Sequence, residues 1–231
     1  MSLVQDNSYL LDFDKEVTVG KTELEGFLES SFVDCRQDPW PELGFDGLIS
    51  QFSLREKMRK GFCFAVLTRS MVERIRPYGP ILEVGAGTGY WAHEFKKAGT
   101  NYIATDNFPL PNNKFFPGSK AWEHVYTYTA IDAVKRFPDR TLLMCWPEYG
   151  GSWTVEALKE YKGGIFVFVG EEEGGCCADD DFFEYLHSHW VEREQLNMPQ
   201  FFGIHDIAII YERVPGAIST PAMFSPQCKD K

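Results

Sequence analysis

No apolar run in the 231-residue sequence approaches the ~20 residues that a bilayer-spanning helix needs, and Ile165 to Val169 is typical of those present. The opening MSLVQDNS carries no basic segment leading into an apolar stretch, so no secretory signal is read there. Positive charge is scarce: 23 Lys and Arg face 34 Asp and Glu, a formal net charge of −11. That balance argues against nonspecific contact with DNA, RNA or an anionic membrane, each of which needs a cationic face to neutralise phosphates. CxxC pairs and Cys/His pairs at zinc-finger spacing are missing, so the six cysteines read as free thiols in a reducing cytoplasm. Cys228 is followed by Lys229 and Asp230 where a prenylation signal needs aliphatic residues. No repeat at a fixed period and no low-complexity block is visible, which sets aside solenoids and propellers.

What remains is a chain 44% hydrophobic and 25% charged, able to bury a sizeable core. Residues 1–80 read as an N-terminal helical cap. Thr22 and Glu25 form a capping-box pattern, after which Leu24, Phe27, Leu28 and Phe32 share a helix face. Ser53 and Glu56 open a second, longer helix in which Leu54, Met58, Phe62, Ala65, Val72 and Ile75 fall at helical spacing, until Pro77 to Pro80 ends it. Arg55, Lys57, Arg59 and Lys60 on that helix form either a solvated face or, if turned to a cleft, an anion-binding patch.

From residue 81 the pattern changes to short β-rich runs separated by helix-like segments. ILEV (81–84), NYIAT (101–105), HVYTYT (124–129), TLLMCW (141–146) and GIFVFVG (164–170) are the strand candidates. All but the third are uniformly apolar, as suits parallel strands covered on both faces. VEREQL and DIAIIYERV follow a helix-like DDDFFEYLHSHW and predict an antiparallel pair closing the sheet. The expectation is an α/β domain over 81–214 and a loosely ordered tail over 215–231.

The run Ile81-Leu-Glu-Val-Gly85-Ala-Gly87-Thr-Gly89-Tyr-Trp91 leads an apolar strand through a glycine turn into a helix, the context in which such loops bind nucleotides. A dinucleotide loop, G-x-G-x-x-G/A, needs a small residue at its last position, and Tyr90 stands there. The spacing is instead G-x-G-x-G, with Glu83 two residues before the first glycine. This loop resembles that of class I S-adenosylmethionine (SAM)-dependent methyltransferases, and the resemblance extends in weaker form over 81–213. It implies a Rossmann-like, mostly parallel sheet with an antiparallel C-terminal strand, and SAM as cofactor. It assigns Gly85, Gly87 and Gly89 to the cofactor loop, Glu83 to the methionine ammonium and Asp106, ending the second strand, to the ribose hydroxyls. Asp132 would lie beside the adenine, or else cap the following helix. The Trp-Pro pair Trp146-Pro147 and the run VGEEEGG at 169–175 further resemble an uncharacterised methyltransferase-like branch with no established substrate.

In an open sheet of this kind ligands lie beyond the carboxyl ends of the strands. Glu148 and Glu171 are therefore the candidate acids for binding or deprotonating an acceptor, with Tyr149 beside them. Tyr90, Trp91, Trp146 and Tyr149 are candidates for an aromatic wall that attracts a sulfonium, and Trp91 could equally be core. Base-amine methyltransferases carry Asn or Asp where Trp146 stands, which turns the expectation toward a small-molecule acceptor rather than nucleic acid. His205 is a further candidate at the cleft mouth, whereas His187 and His189 fall on different helix faces and no metal is expected. Asp179 to Asp181 read as the acidic start of a helix. Two other classes stay open: a catalytically silent protein of the same fold acting as a scaffold, and a nicotinamide-dependent oxidoreductase.

Overall fold

Residue alternation along the apolar runs decides the layering. The structure, a computed structural model, describes residues 52, 53, 55–201 and 203–215; the helix expected after Thr22 and the tail beyond 215 lie outside them. Seven strands form: β1 (Ile81–Val84), β2 (Tyr102–Asp106), β3 (Val125–Thr127), β4 (Thr141–Cys145), β5 (Ile165–Gly170), β6 (Trp190–Leu196) and β7 (Ile207–Arg213). The sheet order is β3-β2-β1-β4-β5-β7-β6, with β7 antiparallel to β5 and β6. This is a mostly parallel, Rossmann-like α/β sheet closed by an antiparallel pair. In β4 and β5, Leu142, Met144, Phe166 and Phe168 enter one core, while Leu143, Val167 and Val169 enter the other. Both faces are thus buried, which is why these runs show no polar side. β3, at the sheet edge, is the exception, and its Tyr126 is exposed.

The first core is covered by α2 (Tyr90–Lys97) and by residues of the 58–75 segment. The second is covered by α3 (Ala130–Arg136), α4 (Trp153–Glu160) and α5 (Asp180–His189). Asp179 caps α5 by accepting from the Phe182 N–H, so the acidic run there serves the helix start. Among the described residues no helix is long and apolar enough to cross a membrane.

Two expectations are corrected. The long helix from Ser53 to Ile75 is broken: helical residues end at 61, and α1 (Arg69–Ile75) starts afresh with the Thr68 hydroxyl capping the Met71 N–H. Phe62 to Leu67 are six consecutive apolar residues, which a helix would spread around its whole circumference. As an irregular segment, five of the six are buried and only Phe64 remains half-buried. The connection from β2 to β3, residues 107–124, contains no helix, unlike the alternation expected. It folds instead against the 55–64 segment. The Arg59 guanidinium donates to the Phe115 carbonyl, the Trp122 indole to the Gly61 carbonyl at 2.7 Å, and the Ser119 hydroxyl to the Lys60 carbonyl.

Candidate functional site

The parallel register brings the ends of β1, β2, β3 and β4 to one edge of the sheet, and a cavity of about 710 Å³ opens over them. Its wall takes Glu83, Gly85 and Ala86 from the first strand and loop, Asp106 to Phe108 from the second, Tyr128 to Ile131 from the third, and Cys145 to Tyr149 from the fourth. Tyr90 and Trp91 of α2, Phe64, and Asn113 to Phe116 of the β2–β3 connection complete much of the rest. Of the residues singled out in the sequence, Glu83, Gly85, Asp106, Trp146, Glu148 and Tyr149 are brought together here. Gly87, Gly89, Asp132, Glu171 and His205 do not line it.

The glycine turn is sharp because three of its residues adopt φ of +72° (Gly85), +54° (Gly87) and +75° (Gly89). At Gly87 the turn is also covered: a Cβ built there would lie 2.3 Å from the Phe116 ring. The Gly87 N–H donates to Asp106 Oδ2 at 3.0 Å, which ties the loop to the end of β2. Oδ2 also accepts from the Asn113 amide at 3.2 Å, and Oδ1 accepts from the Phe108 N–H at 2.8 Å. Burial pushes the Asp106 acid up, and these three donors oppose that shift. Phe116 and Asn113 carried no sequence signal, because nothing in a loop's composition reveals which glycine or carboxylate it will fold against.

Glu83 is buried at 2% exposure on the Ile81 side of β1. Burial raises its carboxyl to about 8, while the Tyr102 hydroxyl, donating at 3.0 Å, works in the opposite direction. Asp206, 1% exposed, accepts from the Trp146 indole at 2.7 Å, and burial raises it to about 7. Sequence inspection passed over Asp206, whose neighbour His205 drew the attention. In each case the folded chain holds a proton that the unfolded chain has already lost, from about pH 4.5 to 8 for Glu83 and from about pH 3.8 to 7 for Asp206. Stability therefore falls as pH rises through these windows, by up to about 1.4 kcal/mol per pH unit per group. Urea unfolding at pH 5, 6, 7 and 8 checks this: Glu83→Gln and Asp206→Asn should each flatten the slope. Unchanged slopes in both variants would refute the assignment.

Trp146 is held by three constraints. Its backbone N–H donates to the Val169 carbonyl at 2.8 Å, its indole is fixed on Asp206, and its ring stacks on Phe64 with centroids 5.2 Å apart. It does so at φ +52°, a left-handed conformation costing about 1 kcal/mol for a non-glycine residue. The Arg55 guanidinium lies 4.9 Å from the Trp146 centroid and that of Arg59 5.5 Å from Phe64, so two of the cations of the 53–76 segment back aromatic rings. Trp91 is both core and wall: it is 2% exposed and still borders the cavity.

The acids divide. Glu148 lines the cavity and pairs with Lys114 at 2.9 Å. Glu171 is buried behind Cys176: burial pushes its carboxyl up, but N–H donation from His205 and Cys176, each at 2.9 Å, holds it below the usual range. It is a staple between two loops rather than a free acid. Asp132 is exposed and accepts from the Thr129 hydroxyl at 2.7 Å, while Thr129 accepts from the Asp132 N–H. Asp132 is therefore not the N-cap of the alternative reading: Thr129 is the cap, and Asp132 lies in the first turn and pairs with it. Among the described residues no group of His, Cys, Asp and Glu is arranged to hold a metal ion.

No protein-family model and no curated protein matches the chain. Similar solved structures include magnesium protoporphyrin IX methyltransferase of Synechocystis PCC 6803 with bound SAM, at 11% identity over 63% of this chain and 77% of that one, TM-score 0.45. A SAM-dependent methyltransferase from Archaeoglobus fulgidus is similar at 16% identity over 70% of this chain and 98% of that one, TM-score 0.40.

Proposed function

We propose that the chain is a SAM-dependent methyltransferase acting on a small molecule. The observation that carries this reading is a single cavity bordered by the glycine turn after β1, a carboxylate ending β2 and an aromatic cluster after β4. The residues fit the cofactor. A carboxylate offers about four acceptor positions, of which Asp106 uses three, for Gly87, Phe108 and Asn113. The Asn113 contact comes from a side chain, which ribose hydroxyls would replace. Gly85 offers a close approach to the main chain, Glu83 stands beside it for the methionine ammonium, whose charge would favour the ionised carboxyl over the protonated form that burial favours in its absence, and Gly87 and Gly89 shape the turn. Ile131, next to Asp132, would border the adenine.

When bound, SAM would supply a sulfonium methyl group for transfer to a nucleophilic atom of the acceptor, with the thioether SAH as the leaving product. The chain's part is alignment and charge. Tyr90, Trp91 and Tyr149 border the cavity as rings able to attract a cation, and a fixed wall converts part of the barrier into prepaid orientation. Glu148 is the carboxylate assigned to receive the acceptor's proton, and Tyr149 the ring beside it. Glu171 acts at one remove, by holding the Cys176 loop.

Calorimetric titration with SAM, S-adenosylhomocysteine (SAH) and NADH in parallel tests the proposal. Saturable binding of the first two alone is expected, followed by methyl transfer in an acceptor screen. Binding of NADH alone would replace the reading with an oxidoreductase. A second reading, a catalytically silent binding protein of the same fold, is favoured by one observation: Phe116 and Asn113 cover Gly87 and Asp106. Failure to bind SAM or SAH would move it to first place.

A further inference from the structure

We infer that the β4 end of the cavity is an acceptor subsite for an uncharged, flat aromatic molecule; this rests on the methyltransferase reading for the other half of the cavity. The two halves are set apart by topology. β3 lies three strands from β4 in the sheet order, about 14 Å at the ~4.8 Å spacing of paired strands. The adenine and ribose positions fall at the β3 and β2 end, which leaves the space bordered by Phe64, Phe115, Cys145, Trp146 and Cys176 for the acceptor.

Three features define what that space accepts. Its wall is aromatic and pre-set: Trp146 stacks on Phe64 at an interplanar angle of 16°, and Phe115 meets Phe64 edge-on with centroids 6.2 Å apart. Trp146 keeps its ring there in a left-handed backbone conformation, fixed by Asp206, and such strain gathers where a side chain must point at a ligand.

Charge there is already matched. Arg59 pairs with Glu56 at 2.8 Å and Lys114 with Glu148 at 2.9 Å, while Arg55 does not line the cavity. Cys145 and Cys63 are kept as neutral thiols by burial, and Cys176 by its hydrogen bond to Glu171. The side chains that border the subsite, Phe64, Phe115, Cys145, Trp146 and Cys176, are uncharged, so an ionic acceptor would meet no counter-charge on its wall and would lose its hydration. The ring faces that would attract a cation are approached by Arg55 and Arg59 instead.

The mouth extends the same chemistry outward. Phe108 is 60% exposed and Tyr149 68%, and both border the cavity. Exposed aromatic rings at a cavity entrance mark where an apolar ligand continues beyond it. The acceptor is therefore larger than the subsite, with its ring against Trp146 and the remainder over Tyr149.

The test uses the full chain loaded with SAH and titrated with 2-naphthol, 2-naphthalenesulfonate and 2-naphthylmethylammonium, followed by calorimetry. Naphthol is expected to bind saturably and at least tenfold more tightly than either ion. Phe64→Ala should weaken naphthol at least tenfold and leave SAH binding unchanged; Phe115→Ala, at a more exposed ring, should do the same to a smaller extent. The inference is overturned if either ion binds as tightly as naphthol, if naphthol does not bind, or if both folded variants bind it as wild type does. If SAH fails to bind while naphthol binds with the same variant pattern, the cofactor reading falls and the aromatic subsite stands.

Discussion

Asp106→Ala is expected to weaken SAM binding at least thirtyfold and to lower stability at the same time. The two losses have different origins. The carboxylate collects the Gly87 N–H, the Phe108 N–H and the Asn113 amide. Its removal leaves three donors without their acceptor, at about 1–3 kcal/mol for each that water cannot reach. Because the cavity lies alongside, the Asn113 amide is resolvated easily, so a total of roughly 2–6 kcal/mol is expected from the two backbone groups. Loss of two charge-assisted contacts to ribose hydroxyls accounts for the binding term, about 2 kcal/mol or more. Asp106→Asn preserves shape and one acceptor oxygen and should fall between. Calorimetry for SAM and urea unfolding for stability read the effects separately. A folded Asp106→Ala protein that binds SAM as wild type does would place the cofactor elsewhere.

Gly87→Ala is expected to be the most damaging single methyl group that can be added to the turn. Two costs coincide there. Alanine at φ +54° carries about 1–2 kcal/mol of backbone strain, and its Cβ would sit 2.3 Å from one Phe116 ring carbon and 2.8 Å from another. Overpacking of that kind adds about 1–3 kcal/mol, for a total of roughly 2–5 kcal/mol. The two costs separate in a double-mutant cycle. Phe116→Ala alone removes a buried ring and destabilises in its own right, but in its presence the clash vanishes and only the strain remains. The double variant should therefore be more stable than the sum of the singles predicts, by about 1–3 kcal/mol. Additivity within ~0.5 kcal/mol would mean that Phe116 does not rest on the glycine turn. The same four proteins, titrated with SAM, report whether uncovering Gly87 tightens binding.

The strands were legible because their signal is local. ILEV, TLLMCW and GIFVFVG are apolar on both alternating sets, and a segment like that has few places to go except the middle of a parallel sheet. HVYTYT departs from the pattern, and it forms the exposed edge strand. The antiparallel close could be read from VEREQL and DIAIIYERV with no helix between them. The 53–75 helix misled because residues 62–67 satisfy helical spacing while being too uniformly apolar to fit on one helix. The side chains of Glu148, Asp132 and Glu171 looked alike in sequence, and their differences come from what folds against them: Lys114, the Thr129 cap, and two loop N–H groups.

By itself the sequence determined the sheet, its strand ends and the glycine turn, because alternation, apolar runs and the need for left-handed backbone are written in a few adjacent residues. The tertiary structure alone decided that Asn113 and Phe116 seat on Asp106 and Gly87, that Asp206 anchors Trp146, and that Arg55 and Arg59 back the aromatic wall. Those contacts join residues far apart in the chain through irregular segments, where no period or propensity constrains the path and only mutual packing and hydrogen-bond satisfaction select the partner.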